Sequence, residues 1–480
     1  MAGGIWSPTE GKVRPGFYLN FVAAGVAAIK PGARGIVAVP VKADWGPIRQ
    51  VVEISSEAEL VDRFGNATTN GLTAYNTVRM ALLGGARTVL VYRLADSYAS
   101  KGSITLKDTA STPGDVLRLE TKYETNRPFA VTVRDNPVDS TKQDIVLYEG
   151  TAQLRTFTFL KGTIDAAVTA VNGDAGNRWI TATKIADGNG TLAAVNAQPF
   201  ANGNNGATGV TNADYMGALA AFEARQFNLF SLDGATDASL QASVKAWVAR
   251  LRDEGHGVIA VLGGSATDDE DPTKGNARSL SFNHEGIVNV ITSAQLGDTW
   301  YSSAQIAPFI AGLIAGQRLA ESITYAVCPF TDVKPRLTDS QIREALNSGS
   351  LVLVHDGEKV KVEQGINTLT SLREGQNRQW RKIRAIRVMD AINADLLKTA
   401  SDNYIGKVVN NDDGKLALIN ACKQYMDQLV NGGLIEPDYT VQLDPAYHPA
   451  LAAPDEVYIR WDARLTDTME FIFGTFNVRG

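Results

Sequence analysis

The stretch from Glu456 to Gly480, EVYIRWDARLTDTMEFIFGTFNVRG, limits what this chain can fold into more than any other. Val457, Ile459, Trp461, Ala463 and Leu465 alternate with Tyr458, Arg460, Asp462, Arg464 and Thr466. A period of two sorts side chains onto the two faces of a β-strand. Met469, Phe471 and Phe473 continue in the same phase, so the spacing predicts strand over nearly the whole segment. After Gly474 the phase flips to Phe476 and Val478, which predicts a bulge or kink at the glycine. A chain end frays unless something ties it down, so an end this apolar needs a sheet to join. That sheet belongs either to its own domain or to a neighbour with an open edge. The other end has the same character: Phe17, Leu19 and Phe21 alternate with Tyr18, Asn20 and Val22.

Between the ends, 480 residues suffice for about three domains. With 44% hydrophobic and 20% charged residues the composition is that of a soluble globular protein. A formal charge of -6 argues against nucleic-acid binding, which needs a basic surface. Cys328 and Cys422 are too few for a disulfide framework and read as reduced thiols. MAGGIWSPTEGKVRPG is not patterned as a secretion signal, and no run is apolar enough to span or bind a membrane, so synthesis and assembly are expected in the cytoplasm.

The expected fold class is mixed α/β and multidomain. After an arm over 1–24, residues 25–96 read strand, helix, helix, strand, with helices through Glu59–Phe64 and Gly71–Leu83. Residues 97–204 change character to short β-rich runs such as DVLRLETKY and FAVTVRD, which predicts an inserted sandwich or barrel. It closes on ANGNNGATG, read as a flexible boundary. Residues 205–355 return to strand–helix alternation and join 25–96 as one α/β domain. Residues 356–480 form a C-terminal domain, with a long helix from Gly375 to Lys398, a helix from Lys415 to Val430, and a strand arm over 454–480.

Signatures of chemistry are missing. His256, His284, His355 and His448 have no metal-ligand spacing, and neither a Walker A loop nor a nucleophile elbow occurs. Gly263 and Gly264 follow a strand as a phosphate loop would, but Asp268, Asp269, Glu270 and Asp271 come next and would repel phosphate; the segment reads as a solvated loop. No catalytic residue, cofactor or metal is called for. One charge feature stands out: Arg373, Arg378, Arg381, Lys382, Arg384 and Arg387 crowd the start of a helix, where cations oppose the macrodipole. They serve either a partner or a solvated face with local ion pairs.

Taken together, several segments resemble the contractile tail sheath proteins of myophage-type tails and phage-tail-like bacteriocins, in the branch from Gram-positive phages and prophages. The carriers are PGFYLNF, GIVAVPVKADWGP, ELVDRFG, ALLGGARTVLVYRL, RAIRVMDAINADL, YIGKVVNNDDGK, the terminal ribbon and, most specifically, DVKPRLTDSQIREALNSGSLVLVHDGEKVKVEQGINTLTS. The likeness covers most of 14–96 and 210–480 and is weaker over the insertion. It implies a structural, non-enzymatic subunit of stacked hexameric rings around a tail tube protein, meeting baseplate and tail terminator proteins in a virion tail or tail-like particle. It implies inter-subunit strand arms through Phe17, Leu19, Phe21, Met469, Phe471, Phe473, Phe476 and Val478. Arg378, Arg381, Lys382 and Arg384 are then the candidate tube contact. The competing readings are an α/β enzyme with a site assembled from scattered residues and a monomeric adhesion module built on the insertion.

Overall fold

The computed structural model describes residues 2–4, 16–18, 34–447 and 452–478. The chain divides into two compact units, Ala33–Arg387 and Met1–Gly32 with Val388–Gly480. The fold is mixed α/β with several sheets, as the alternation of patterns predicts.

The larger unit is built on a seven-stranded sheet in the order Ser350–Leu351, Ile287–Val290, Ile259–Leu262, Leu229–Ser231, Ile36–Lys42, Thr88–Leu94, Val51–Ile54. Every pairing is parallel except the last. Parallel strands are covered on both faces, which is why they read as unbroken apolar runs such as IVAVPVK. Helices Asn212–Glu223 and Ala238–Asp253 pack on it through a cluster that includes Phe222, Phe230 and Trp247. Helices Ala74–Gly84 and Ser303–Gly316 also pack on the sheet, and on each other so closely that a Cβ at Gly312 would sit 2.0 Å from the Ala81 carbonyl oxygen. Side-chain caps start the helices Glu57–Phe64, Ala238–Asp253 and Asp339–Asn347: Ser56 accepts from the Glu59 amide, Asp237 from Leu240 and Thr338 from Gln341.

Residues 101–199 form a β-sandwich. One sheet has the order Ala152–Leu160, Lys142–Glu149, Phe129–Asp135, Val195–Pro199; the other has Ile180–Lys184, Asp115–Glu124, Lys101–Lys107. Leu117, Leu119, Val131, Ile145, Leu147 and Phe157 meet in its core. A helix, Ile164–Asn172, was not foreseen, and it packs against the strands Ala152–Leu160 and Ile180–Lys184. Its β-branched composition hides it among strands.

Three expectations fail here. The acidic run is no solvated loop: Asp271 caps an unforeseen helix, Pro272–Phe282, and Asp269 is buried against the start of Ser303–Gly316. A Cβ at Gly263 would lie 2.3 Å from the Ser303 carbonyl carbon, so protein fills the turn where a phosphate would sit. The Gly- and Asn-rich boundary is not a free linker: Ser103 and Ala201 pair, as do Ser100 and Asn204, and Asn205 and Ala207 are buried. The apolar run LVLVHDG (351–357), which reads as one strand, is divided: Leu351 pairs with the central sheet as part of Ser350–Leu351, while Leu353–His355 joins a separate small sheet with Val360–Val362 and Val327–Cys328.

In the smaller unit, Asn411 caps the helix Asp412–Asn431, whose buried Tyr425 donates to buried Asp395 at 2.7 Å. A two-stranded antiparallel sheet follows, Thr440–Leu443 with Ile459–Asp462. The N-terminal segment contributes a parallel pair, Ala2–Gly4 with Gly16–Tyr18.

Candidate functional site

The C-terminal ribbon is strand over only four residues, Ile459–Asp462, not over the whole of 456–480. Its intrachain partner is equally short, and Val441 faces Trp461 in the register. Beyond it the ladder thins to a single bridge between Ile435 and Leu465, held by the Glu436 amide on the Arg464 carbonyl (2.8 Å) and the Thr466 amide on the Leu434 carbonyl (3.1 Å). The root of the ribbon is firmly placed. Tyr447 and Tyr458 stack at 4.0 Å, Arg464 pairs with Asp438 at 2.7 Å, and the Asn410 amide donates to the carbonyls of Pro454 and Glu456. A groove of about 240 Å³ lies beside it, lined by residues including Leu443, Pro445, Val457 and Tyr458.

Past Thr466 the chain takes no strand pairing among the described residues. Here the side chains with the strongest strand pattern are bare: Met469 is 91% exposed, Phe473 93% and Phe476 90%, with Phe471 and Val478 also exposed. Leaving one Phe or Met side chain in water rather than burying it forgoes roughly 1.5–3 kcal/mol. An exposed apolar run of this kind marks an interaction surface. At the other end, the Phe17 main chain pairs with Gly3, while Leu19 and Phe21 lie outside the described residues.

The basic cluster separates into two groups. The expected long helix is broken at Lys382 into a 3-10 turn, Arg378–Arg381, and an α-helix, Ile383–Thr399. Arg384 is buried, and its Nε donates to the Ala320 carbonyl at 3.0 Å; Arg387 donates to the Gln317 carbonyl at 2.8 Å, and burial holds its pKa down at about 10. Both acceptors lie just beyond the C-terminus of the helix Ser303–Gly316, the end at which cations are favourable. Arg384 is therefore no surface contact, contrary to the sequence reading. Arg381 is half-buried and donates to the Leu346 carbonyl at 3.0 Å. Arg378 and Arg373 are exposed, and Lys382 is half-buried. Nothing in the local sequence separates these groups, because the carbonyls that claim Arg384 and Arg387 lie 64 and 70 residues away.

The buried histidine is held inside the fold. The Nδ1 of buried His284 accepts from the Gly286 amide, and desolvation lowers its pKa. Among the described residues no group of three or more His, Cys, Asp or Glu is arranged to hold a metal ion, and no helix is long and apolar enough to cross a membrane.

Four family models match successive parts of the chain: "Tail sheath protein Gp18 domain III N-terminal region" over 34–94, "Phage tail sheath protein beta-sandwich domain" over 96–205, "Phage tail sheath protein central domain" over 208–368 and "Phage tail sheath C-terminal domain" over 375–479. The chain belongs to the phage tail sheath family. This sheath chain is 27% identical over 479 residues to the phage-like element PBSX protein XkdK of Bacillus subtilis, covering 92% of itself and 94% of that protein. It superposes on the crystal structure of a sheath tail protein from Desulfitobacterium hafniense with a TM-score of 0.73 at 29% identity, covering 95% of itself and 98% of that chain. The contracted helical sheath of the anti-feeding prophage shares the fold, at a TM-score of 0.54 and 14% identity over 98% of this chain and 99% of that one. Family membership makes this a structural protein of a phage tail or tail-like particle.

Proposed function

We propose that the chain polymerises as stacked, six-membered rings around a tail tube and contracts to drive the tube through a bacterial envelope. The observation that carries this reading is the bare apolar run from Met469 to Val478, attached to a well-anchored two-stranded sheet. Added to a neighbour's sheet, Met469, Phe471, Phe473, Phe476 and Val478 become buried and the main chain gains a partner. Phe17, Leu19 and Phe21 serve the same purpose at the other end. Such contacts link each ring to the next.

In this reading the extended sheath is a metastable polymer behind a kinetic barrier. Head-to-tail contacts that do not close on themselves propagate as a helix. A baseplate signal releases the first ring, subunits rotate as rigid bodies into new lateral contacts, and the paired arms pull on the next ring. The energy is stored at assembly, and nucleotide hydrolysis is not used. A tail terminator caps the far end, and assembly takes place in the host cytoplasm. The working parts are a middle domain (25–96 with 205–355), the insertion (97–204) and a C-terminal domain (356–480). The connectors around Gly25–Gly35 and Asp444–Pro454 act as hinges; residues 25–33 and 448–451 of them lie outside the described residues. Arg378, flanked by Arg373 and Lys382, is the candidate tube contact, and Arg381 contributes less because Leu346 holds it.

Replacing both Phe471 and Phe473 by Asp tests the strand-arm reading. The doubly substituted chain is expected to sediment as a monomer under conditions in which the unaltered chain forms large polymers. Equal polymerisation of the two chains would remove the arm from the mechanism.

A further inference from the structure

The junction between the α/β sheet and the sandwich carries an unusual side chain. Arg93 is the penultimate residue of the sheet strand Thr88–Leu94 and has 0% exposure. Its guanidinium binds three main-chain carbonyls from three segments: Gly46 at 2.5 Å, Glu124 at 2.7 Å and Asn205 at 3.1 Å. Gly46 belongs to the turn after the central strand, Glu124 to the sandwich, and Asn205 to the returning connection. The Nε has no hydrogen-bond partner among the described residues. A cation withdrawn from water for neutral acceptors is costly, so its geometry is strongly determined by the acceptors that hold it.

Three other contacts cross the same junction. Trp45, from the turn that presents Gly46, is a member of the sandwich core, 5.2 Å from Tyr123 and 5.6 Å from Phe129. The Arg127 guanidinium lies 4.8 Å from the Trp45 ring and forms a two-pronged pair with Glu149, both bonds at 2.6 Å. The two connections are laced together, with the Asp96 amide on the Gly206 carbonyl (2.8 Å) and the Ser100 amide on the Asn204 carbonyl (2.8 Å).

We infer that Arg93 is a latch fixing the inserted sandwich to the α/β body, so that the two move as one rigid piece. Trp45 is the plug that the latch holds in place. The turn at 45–46, the sandwich and the returning connection converge on one guanidinium, and the outgoing connection is bonded to the returning one, so neither is left free to act as a hinge. Rotation of the body then carries the sandwich through the same angle. This inference concerns the single chain and does not depend on the sheath polymerising.

The test is a distance distribution between spin labels on introduced cysteines, one replacing exposed Val138 on the sandwich and one replacing exposed Leu83 on the body. Hydrogen exchange is followed in parallel. The unaltered junction is expected to give one narrow distance peak and slow exchange at the amides of Asp96, Ser100 and Asn204. In Arg93→Met the peak should broaden and those amides should exchange at least about tenfold faster, while sandwich amides such as Ile145 and Leu147 stay protected. Arg93→Lys keeps a charge but not the fork, and should behave like Arg93→Met. A broad peak with the native junction, or unchanged width and exchange in both variants, would overturn the latch. Should Arg93→Met fail to fold, the native-junction width and Arg93→Lys decide the question.

Discussion

Asp269 accepts hydrogen bonds from the Ser303 amide, the Ser303 hydroxyl and the Ser293 hydroxyl while lying only 3% exposed. Burial raises its pKa, and the bonds from Ser303 and Ser293 oppose the rise. Asp269→Ala strands those donors at a buried helix start, so a loss of about 2–4 kcal/mol is expected in urea denaturation. Asp237 differs because it is an open cap: the Ser239 hydroxyl, the Leu240 amide and the Asn212 side chain bring its pKa down from 3.8 to about 2. A depressed carboxylate stabilises the fold above its ordinary pKa, and that contribution is lost as pH falls toward about 2. Asp237→Asn keeps a cap that does not titrate, so the gap between the two chains' stabilities should narrow in that window and not above it. The thiols supply a third check. Burial pushes Cys328 up to about 12 and raises Cys422, so neither is expected to react with a thiol reagent at pH 8 until the chain is unfolded. Rapid labelling of the folded chain would contradict the burial described for both.

The crossing of helices Ala74–Gly84 and Ser303–Gly316 depends on missing side chains. A Cβ at Gly84 would come within 2.2 Å of the Phe309 carbonyl oxygen, and one at Gly312 within 2.0 Å of that of Ala81. Gly312→Ala must therefore push the helices apart and should cost about 1–3 kcal/mol, despite alanine's better helix propensity. The Ala- and Gly-rich sequence of the later helix, SAQIAPFIAGLIAG, is a local signal of this close approach. Other elements were legible for equally local reasons: Ser56, Asp237 and Thr338 stand at helix starts, and the five sandwich strands from Lys101 to Leu160 carry strand patterns in the chain itself. The failures have non-local causes. The cations of Arg384 and Arg387 are claimed by carbonyls distant in sequence, and Asp269 is buried by a helix that starts 34 residues later. The pair Asp271–Pro272, a cap followed by proline in the first turn, was a local signal for a helix, obscured by the acidic residues before it.

For the whole molecule, the terminal ribbon is the place where the sequence pattern exceeds what one chain can satisfy. The strand pattern runs from Val457 to Val478, but the strand at Thr440–Leu443 accounts for only four residues of it. A single chain has no strand left for the remainder among the described residues, which accounts for the exposure of Phe471, Phe473 and Phe476. A second copy would supply one, and the membership of this chain in the sheath family makes a second copy the natural partner. The measurement that addresses this most directly is negative-stain electron microscopy of the purified chain beside a version lacking Asp467 to Gly480. Long hollow tubes from the intact chain and none from the truncated one are the predicted result. Well-behaved monomers from both, or tubes from both, would contradict a sheath knitted together by its C-terminal strand.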